Sequence, residues 1–255
     1  MQLSYQEFLP STALSKYLAG HWKFVVPLDW NGSPEHLAPP DGCVSLFLYK
    51  NAHTQVRFIG LVGPRLSLFQ TSLLPGSVYW GIRFLPGTFS CFFEQPLDTL
   101  RDQVLPAPAG DHFSAFLEAL NADFEDIQGL ENNLLQLKRK APDEEVAKVV
   151  QEILASEGQC KIADLVQQAF VSERQLQKRF RKEVGLSMKE LARVLRMRAA
   201  LAQLVLSEHK HLDISFNSGY YDQAHFLHEF QAFSRQKPDQ LKQYLRKIQH
   251  GNIHW

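Results

Sequence analysis

The same helix pattern occurs twice in this sequence, at an offset of 50 residues. The first copy is SERQLQKRF, which starts at Ser172, and the second is DQAHFLHEF, which starts at Asp222. Each copy begins with a residue that favours the N-terminus of a helix and places apolar residues four and eight positions further on, along one face. A short apolar segment and a tight turn precede each copy. The repeat therefore predicts two helix-turn-helix units.

The first copy contains its own start and stop signals. Ser172 and Gln175 form an S-x-x-Q capping box, which predicts that a helix begins there. Gly185 can adopt the left-handed conformation that closes a helix. Ser187 and Glu190 form a second capping box, so we expect another helix to follow directly.

The outward face of the first repeat helix is cationic, because Arg174, Lys178 and Arg181 lie opposite its apolar residues at 100° per residue. The whole chain has no net charge, with 27 Lys and Arg against 27 Asp and Glu. From residue 172 onward, however, 15 Lys and Arg stand against 8 Asp and Glu, a balance of +7. This asymmetry indicates a polyanion as the partner of the C-terminal part.

Several motifs together resemble the AraC/XylS family of bacterial transcription regulators. The C-terminal motifs are SERQLQKRFRKEVGLS at 172–187 and GYYDQAHFLHEF at 219–230, followed by Pro238. They resemble the tandem helix-turn-helix DNA-binding domain of that family, over residues from about 145 to 248. The N-terminal motifs PPDGCVSL at 39–46, GPR at 63–65 and GIRFLPG at 81–87 look like the N-terminal domain of one branch of it.

The resemblance implies a two-domain chain. It implies a mainly-β, barrel- or sandwich-like and cupin-like sensor domain over residues 1–107, a helical dimerisation or linker segment over 108–142, and an all-α DNA-binding domain over 143–255. It also implies a cytoplasmic activator that is not an enzyme, uses no cofactor, acts as a homodimer, and binds double-stranded promoter DNA, RNA polymerase and a small effector.

Four positions depart from the family pattern. Met188 replaces a proline, Ser215 an alanine, Arg235 a late glycine, and Phe170 the usual glycine of the first turn. At Phe170 we expect a different turn geometry, about 1 kcal/mol of strain from a positive φ, or a ring that is buried in the core.

The candidate DNA-contacting residues lie on the two repeat helices and just after the second. Residues 173–184 carry five cations against two carboxylates, whereas residues 222–233 contain no Lys or Arg, so we expect the first helix to supply most of the affinity. The helix predicted over residues 188–206 is about 28 Å long. It could therefore place the two motifs in adjacent major grooves, ~34 Å apart. The candidates are Arg174, Gln177, Lys178, Arg181, Lys182, Gln223, His225, His228 and Lys237.

Short apolar segments between Gly and Pro residues predict an antiparallel sandwich or barrel, which can hold a small ligand. These segments span residues 43–49, 56–62, 66–73 and 77–84, with strand-like residues also at 16–26. We interpret residues 30–42 as a turn-rich connection and residues 97–111 as a domain boundary.

Trp80 and Arg83 are the candidate effector-binding residues, on opposite faces of the last of these strands. Arg83 could anchor an anion, but an ion pair with a carboxylate such as Asp41 or Glu94 is a competing interpretation. The histidines of this half show no metal-ligand spacing, so we expect no metal site.

Apolar residues recur at steps of three and four from residue 113 to residue 137, which predicts two helices, or one that is interrupted near 121–129. Their stripe requires a partner, which could be the barrel or a second subunit. The chain shows neither a signal sequence nor a membrane span, and its three cysteines are widely spaced, so we expect a cytoplasmic protein.

Two other functions are possible on residues alone. A β-barrel oxygenase or isomerase is disfavoured, because neither metal-ligand spacing nor a nucleophile beside a base is found. A helical adaptor with a β-barrel ligand-binding domain would instead bind a protein, through an exposed stripe of Phe226, Phe230 and Phe233.

Overall fold

The computed structural model describes residues 3–32, 35–107, 116, 118, 126–206 and 211–248. Within these residues the N-terminal part is mainly β-sheet and the C-terminal part is helical, as predicted. None of the helices described is long and apolar enough to span a bilayer.

The strands of the described N-terminal part form two antiparallel sheets. The larger sheet has the order β1-β2-β7-β4-β5-β8, and β3 pairs with β6 in a separate ribbon. The strands are β1 Ser4–Phe8, β2 Leu18–Val25, β3 Glu35–Ala38, β4 Val44–Asn51, β5 Arg57–Val62, β6 Phe69–Ser72, β7 Ser77–Phe84 and β8 Val104–Pro106.

Side-chain alternation along β7 separates the core of this domain from a cavity. Trp80, Ile82 and Phe84 are buried in the core. Tyr79 and Arg83 point from the other face of the sheet towards the β3–β6 ribbon, and both line a cavity there. The predicted alternation is confirmed.

Three strands were not predicted from the sequence. β3 lies inside the stretch 30–42 that was interpreted as a connection, and β8 lies inside the supposed boundary 97–111. β1 and β8 are the two edges of the larger sheet. Such short edge strands carry little apolar alternation of their own and depend on the neighbouring strand for their hydrogen bonds.

The described helices are arranged around the 19-residue helix α5, whose length agrees with the prediction. The helices are α1 Ile127–Leu137, α2 Glu144–Ala155, α3 Ile162–Gln168, α4 Glu173–Val184, α5 Met188–Leu206, α6 His211–Asn217, α7 Gln223–Ser234 and α8 Pro238–Ile248.

The apolar stripe of α1 packs on the β domain. Leu130 and Leu134 are buried in the same cluster as the core residues of β7. Of the two partners that the sequence left open, the barrel therefore covers this helix. Most of the preceding predicted segment, residues 108–125, lies outside the described residues.

The two helix-turn-helix units have separate apolar cores, which α5 joins. One core includes Leu176 and Phe180 of α4, and the other includes Phe226 and Phe230 of α7. The N-terminal half of α5 contributes to the first core and its C-terminal half to the second. α5 is thus a shared support for both units.

Candidate nucleic-acid interface

Helix α4 begins and ends where the sequence predicts. The Ser172 side chain accepts a hydrogen bond from the Gln175 backbone N–H, and the Gln175 side chain accepts one from the Ser172 N–H. Gly185 closes the helix with a φ of 79°. These caps hold the helix in one position relative to its core, which orients its outward side chains.

The predicted residues of α4 form one exposed stripe. Leu176 and Phe180 are fully buried, and the residues on the opposite side are exposed. The exposed predicted residues Arg174, Gln177, Lys178, Arg181 and Lys182 all line the same cleft.

Two other charges of α4 have structural partners. The Arg179 guanidinium lies 2.6 Å from an Asp143 carboxylate oxygen at the start of α2. Glu183 is buried and accepts hydrogen bonds from Ser90 and from the Lys140 ammonium, the latter at 3.2 Å. Among the described residues the four stripe cations make no ion pair with a carboxylate, so their charge is available to an external anion.

The cleft beside α4 has a volume of about 1080 Å³ and lies between the two domains. Its other wall contains Glu94 and Asp98 of the β domain, together with Arg139 and Lys140 of the linker. The Arg139 guanidinium pairs with the Glu94 carboxylate at 2.6 Å. These two cations were not predicted as site residues, although the run KRK at 138–140 was a visible signal.

Helix α7 presents neutral groups rather than cations. The Asp222 carboxylate accepts a hydrogen bond from the His225 backbone N–H at 2.7 Å, which confirms the predicted cap. His225 and His228 are exposed, and Gln223 is half-buried. The Glu229 carboxylate pairs with Arg193 of α5 at 2.8 Å, which ties this helix to the shared support.

The phenylalanines of α7 are not a docking stripe. Phe226 and Phe230 are fully buried, and Phe233 is 5% exposed. The helical-adaptor interpretation is wrong on this point, because these rings form the core of the second unit.

One exposed aromatic residue next to α7 was missed. Tyr221 is 86% exposed and directly precedes the cap residue Asp222. Its hydroxyl group can donate a hydrogen bond to a phosphate. Lys237, a predicted contact that follows α7, is also exposed.

The expectation of strain or burial at Phe170 is wrong. Phe170 is 88% exposed and is not among the described residues with a positive φ. Its N–H donates to the Glu145 carboxylate at 3.0 Å, and the Lys148 ammonium lies 5.3 Å from its ring centroid. The different turn geometry, which was the remaining alternative, explains how a bulky residue fits here.

The N-terminal cavity has a volume of about 270 Å³ and is enclosed by the larger sheet and the β3–β6 ribbon. Arg83 lines it, whereas Trp80 is not part of its lining and lies in the core on the other face. The Arg83 guanidinium pairs with Asp41 at 2.8 Å and with Glu7 at 3.2 Å. These ion pairs raise its pKa against the effect of its burial.

Two helix-turn-helix units on one supporting helix, the first with an exposed cationic stripe, define a DNA-binding protein. Residues 165–244 match a family described as a helix-turn-helix domain, and residues 6–106 match one described as a domain of unknown function. The match over residues 165–244 agrees with the helix-turn-helix units predicted from the sequence and supports DNA binding by this part of the chain.

Solved structures with similarity to the chain include three regulators. ToxT of Vibrio cholerae, with bound (E)-4-(8-methylnaphthalen-1-yl)but-3-enoic acid, is 12% identical over 96% of this chain and 98% of that chain, with a TM-score of 0.45. The DNA-binding domain of the global transcriptional factor AdpA, in complex with a target DNA, is 20% identical over 40% of this chain and 92% of that one, with a TM-score of 0.37. The xylose-binding activator XylR is 21% identical over 41% of this chain and only 28% of that chain, with a TM-score of 0.36.

No curated protein matches the chain significantly.

Proposed function

We propose that the chain binds two adjacent half-sites of promoter DNA, with α4 in one major groove and α7 in the next. The observation that carries this proposal is the stripe of exposed cations on α4, within a helix-turn-helix unit that α5 joins to a second one. A rod of 19 residues is about 28 Å long, close to the ~34 Å repeat of the groove.

The side chains divide by role. Arg174 and Lys178 lie in the first half of α4, where a recognition helix meets base edges, and Arg181 and Lys182 lie in its second half, nearer the phosphates. Gln177, whose amide donates to Glu173 at 2.9 Å, flanks the stripe. On the second unit Gln223, His225 and His228 offer hydrogen bonds, and Lys237 offers charge to a phosphate.

The proposal includes control by a small effector that binds in the concave cavity of the β domain. It assigns residues 1–107 to sensing, 108–142 to dimerisation or linkage, and 143–255 to DNA binding. Activation through RNA polymerase, a homodimeric state and a cytoplasmic location follow from the family resemblance. Helix α1 gives no evidence for a dimer interface, because the barrel already covers the apolar stripe of this helix.

The test is to sequence genomic fragments that the purified full chain retains, and then to footprint the enriched site. We expect one recurring sequence with two protected segments about one helical turn apart. Lys178→Ala should reduce retention, whereas Lys16→Ala, the same charge change on the β domain, should not. Enrichment without a shared sequence, or equal effects of the two substitutions, would contradict the proposal.

A further inference from the structure

The cavity of the β domain is mostly apolar. Its walls include aromatic and aliphatic side chains from both sheets, among them Trp22, Phe24, Phe47, Phe69 and Leu73. At about 270 Å³ it is small for a ligand cavity. A molecule that fills it has a compact apolar body, such as a single ring with a short chain.

Arg83 is not available as an anchor for such a molecule. Its guanidinium already has two carboxylate partners, and it also donates to the Tyr5 hydroxyl at 3.1 Å. An anion placed here would also approach the Asp41 carboxylate, which lines the same cavity. The Arg83 group is therefore a structural part of the wall.

Arg65 is the arginine of the cavity whose guanidinium lacks a hydrogen-bond partner at one nitrogen. Its Nε is buried and has no hydrogen-bond partner within the part of the chain that the structure describes. One of its Nη atoms donates to the Asp102 carbonyl at 3.1 Å, and the guanidinium lies 4.8 Å from the Phe69 ring centroid. Burial lowers its pKa, and the Asp102 charge opposes that change.

The Asp102 carboxylate does not compensate this guanidinium by a direct ion pair. Its Oδ1 accepts the Leu66 N–H at 3.1 Å, and its Oδ2 lies 3.7 Å from Arg101. A buried arginine nitrogen without a partner costs free energy. Because the half-buried Arg65 side chain lines the cavity, a carboxylate on a ligand there can pair with its guanidinium.

We propose that the effector is a small organic anion with an apolar body, and that Arg65 binds its carboxylate inside the cavity. This inference rests on the effector-binding role proposed above. A neutral or cationic ligand of the same shape would leave the guanidinium without a counter-charge, so the cavity discriminates by charge as well as by shape.

Arg65 also lies in a loop that contacts both DNA-binding units, so an anion bound to it can influence both. Arg65 belongs to the β5–β6 loop, residues 63–68. In that loop Leu66 packs on the first helix-turn-helix core and Leu68 on the second. The Leu68 N–H donates to the Phe233 carbonyl of α7 at 3.1 Å.

Calorimetric titration of the purified full chain with 3-phenylpropionate, 3-phenylpropanamide and 3-phenylpropylamine tests the proposal. We expect the carboxylate to bind at least roughly tenfold more tightly than the amide and the amine. Arg65→Gln should reduce the affinity for the carboxylate roughly tenfold or more, and Arg65→Lys should restore part of it. Arg57→Gln, an exposed arginine of β5 outside the cavity lining, is the matched control and should bind as the parent chain does.

Thermal melts establish that the variants fold. A gel shift without any of the three organic compounds measures DNA binding by Arg65→Gln. Retained DNA binding with lost carboxylate binding supports the inference. Equal affinity for the amide, unchanged affinity in Arg65→Gln, or no binding of the carboxylate to the parent chain overturns it. In each of those cases an intact gel shift leaves the DNA-binding function standing, so the two failures are distinguishable.

Discussion

Arg235 occupies a backbone conformation that suits glycine. It ends α7 with a φ of 53°, at the position where Gly185 ends α4 with a φ of 79°. A left-handed conformation costs a residue with a Cβ roughly 1–2 kcal/mol. We expect Arg235→Gly to raise the free energy of unfolding by about 1 kcal/mol, measured by chemical denaturation.

The same substitution should weaken DNA binding, because Arg235 is exposed beside the second unit and loses its charge. Lys237→Gly is the control, since Lys237 is also exposed but is not among the described residues with a positive φ. If both substitutions change stability equally, the strain at residue 235 is not real.

His36 makes the stability depend on pH. Burial lowers its pKa to about 4, and it stacks on Phe24 with its Nδ1 2.7 Å from the Tyr244 hydroxyl oxygen. The Tyr244 hydroxyl accepts the Leu37 N–H and can donate its own proton to Nδ1 of the neutral ring.

Because the folded pKa of His36 lies below the ordinary value of 6.5, the unfolded chain takes up the proton first as the pH falls. The stabilisation is present above about pH 6.5 and is lost towards pH 4, by roughly 3 kcal/mol. We expect His36→Asn to flatten the pH dependence of the unfolding free energy in that range. His53→Asn, at an exposed site, should leave the slope as it is; equal slopes in all three chains would contradict the assignment.

At the scale of elements, α4 and α7 have caps and apolar anchors at equivalent positions but opposite charge. Arg174→Ala or Lys178→Ala should weaken specific binding by roughly 1–3 kcal/mol and relax the sequence preference of one half-site. His228→Ala should cost less, because it removes a neutral hydrogen-bonding group in place of a cation. The measurement is a titration of the three variants on one operator. An equal loss of binding free energy in His228→Ala would show that α7 contributes as much to base recognition as α4.

The helices were predictable because their signals are local. A cap such as Ser172 or Gly185 acts within one turn, so the sequence alone reveals it. The strand β3 was missed because its hydrogen bonds come from β6, 31 or more residues further along the chain.

The proposed effector site was only partly predictable. Arg83 was predicted to bind an effector and does line the cavity, but it forms the competing ion pair with Asp41 and a second one with Glu7, on separate segments. Whether a nitrogen of Arg65 lacks a partner depends on what its neighbours already bind, and sequence periodicity carries no information about that. GPR at 63–65 was visible only as a family motif.

In the whole molecule the β domain contacts both DNA-binding units. Gly42 lies against Leu191 of α5, and Gly185 at the end of α4 lies against Pro64 and Leu97. Arg101 pairs with Glu190 of α5 at 2.8 Å. The cavity of the β domain and the proposed DNA-binding face are therefore joined through packed side chains rather than through the linker alone.

This docking places negative charge opposite the cationic stripe. Glu94 stands across the cleft from α4 and holds Arg139, and its side chain is 82% exposed. A duplex that contacts α4 brings its phosphates towards this carboxylate. Glu94→Gln removes that repulsion and releases Arg139 to the phosphates, so we expect the affinity for random duplex DNA at low salt to rise about threefold.

The gain should shrink at high salt, because exposed charges are screened beyond a Debye length of about 8–10 Å near physiological ionic strength. The measurement is a titration with a random duplex at two salt concentrations. Glu152→Gln makes the same change at an exposed site of α2 that is not part of the cleft lining, and it should have little effect. A gain in Glu94→Gln that persists at high salt, or an equal gain in Glu152→Gln, would show that the charge of the cleft wall does not act on the DNA.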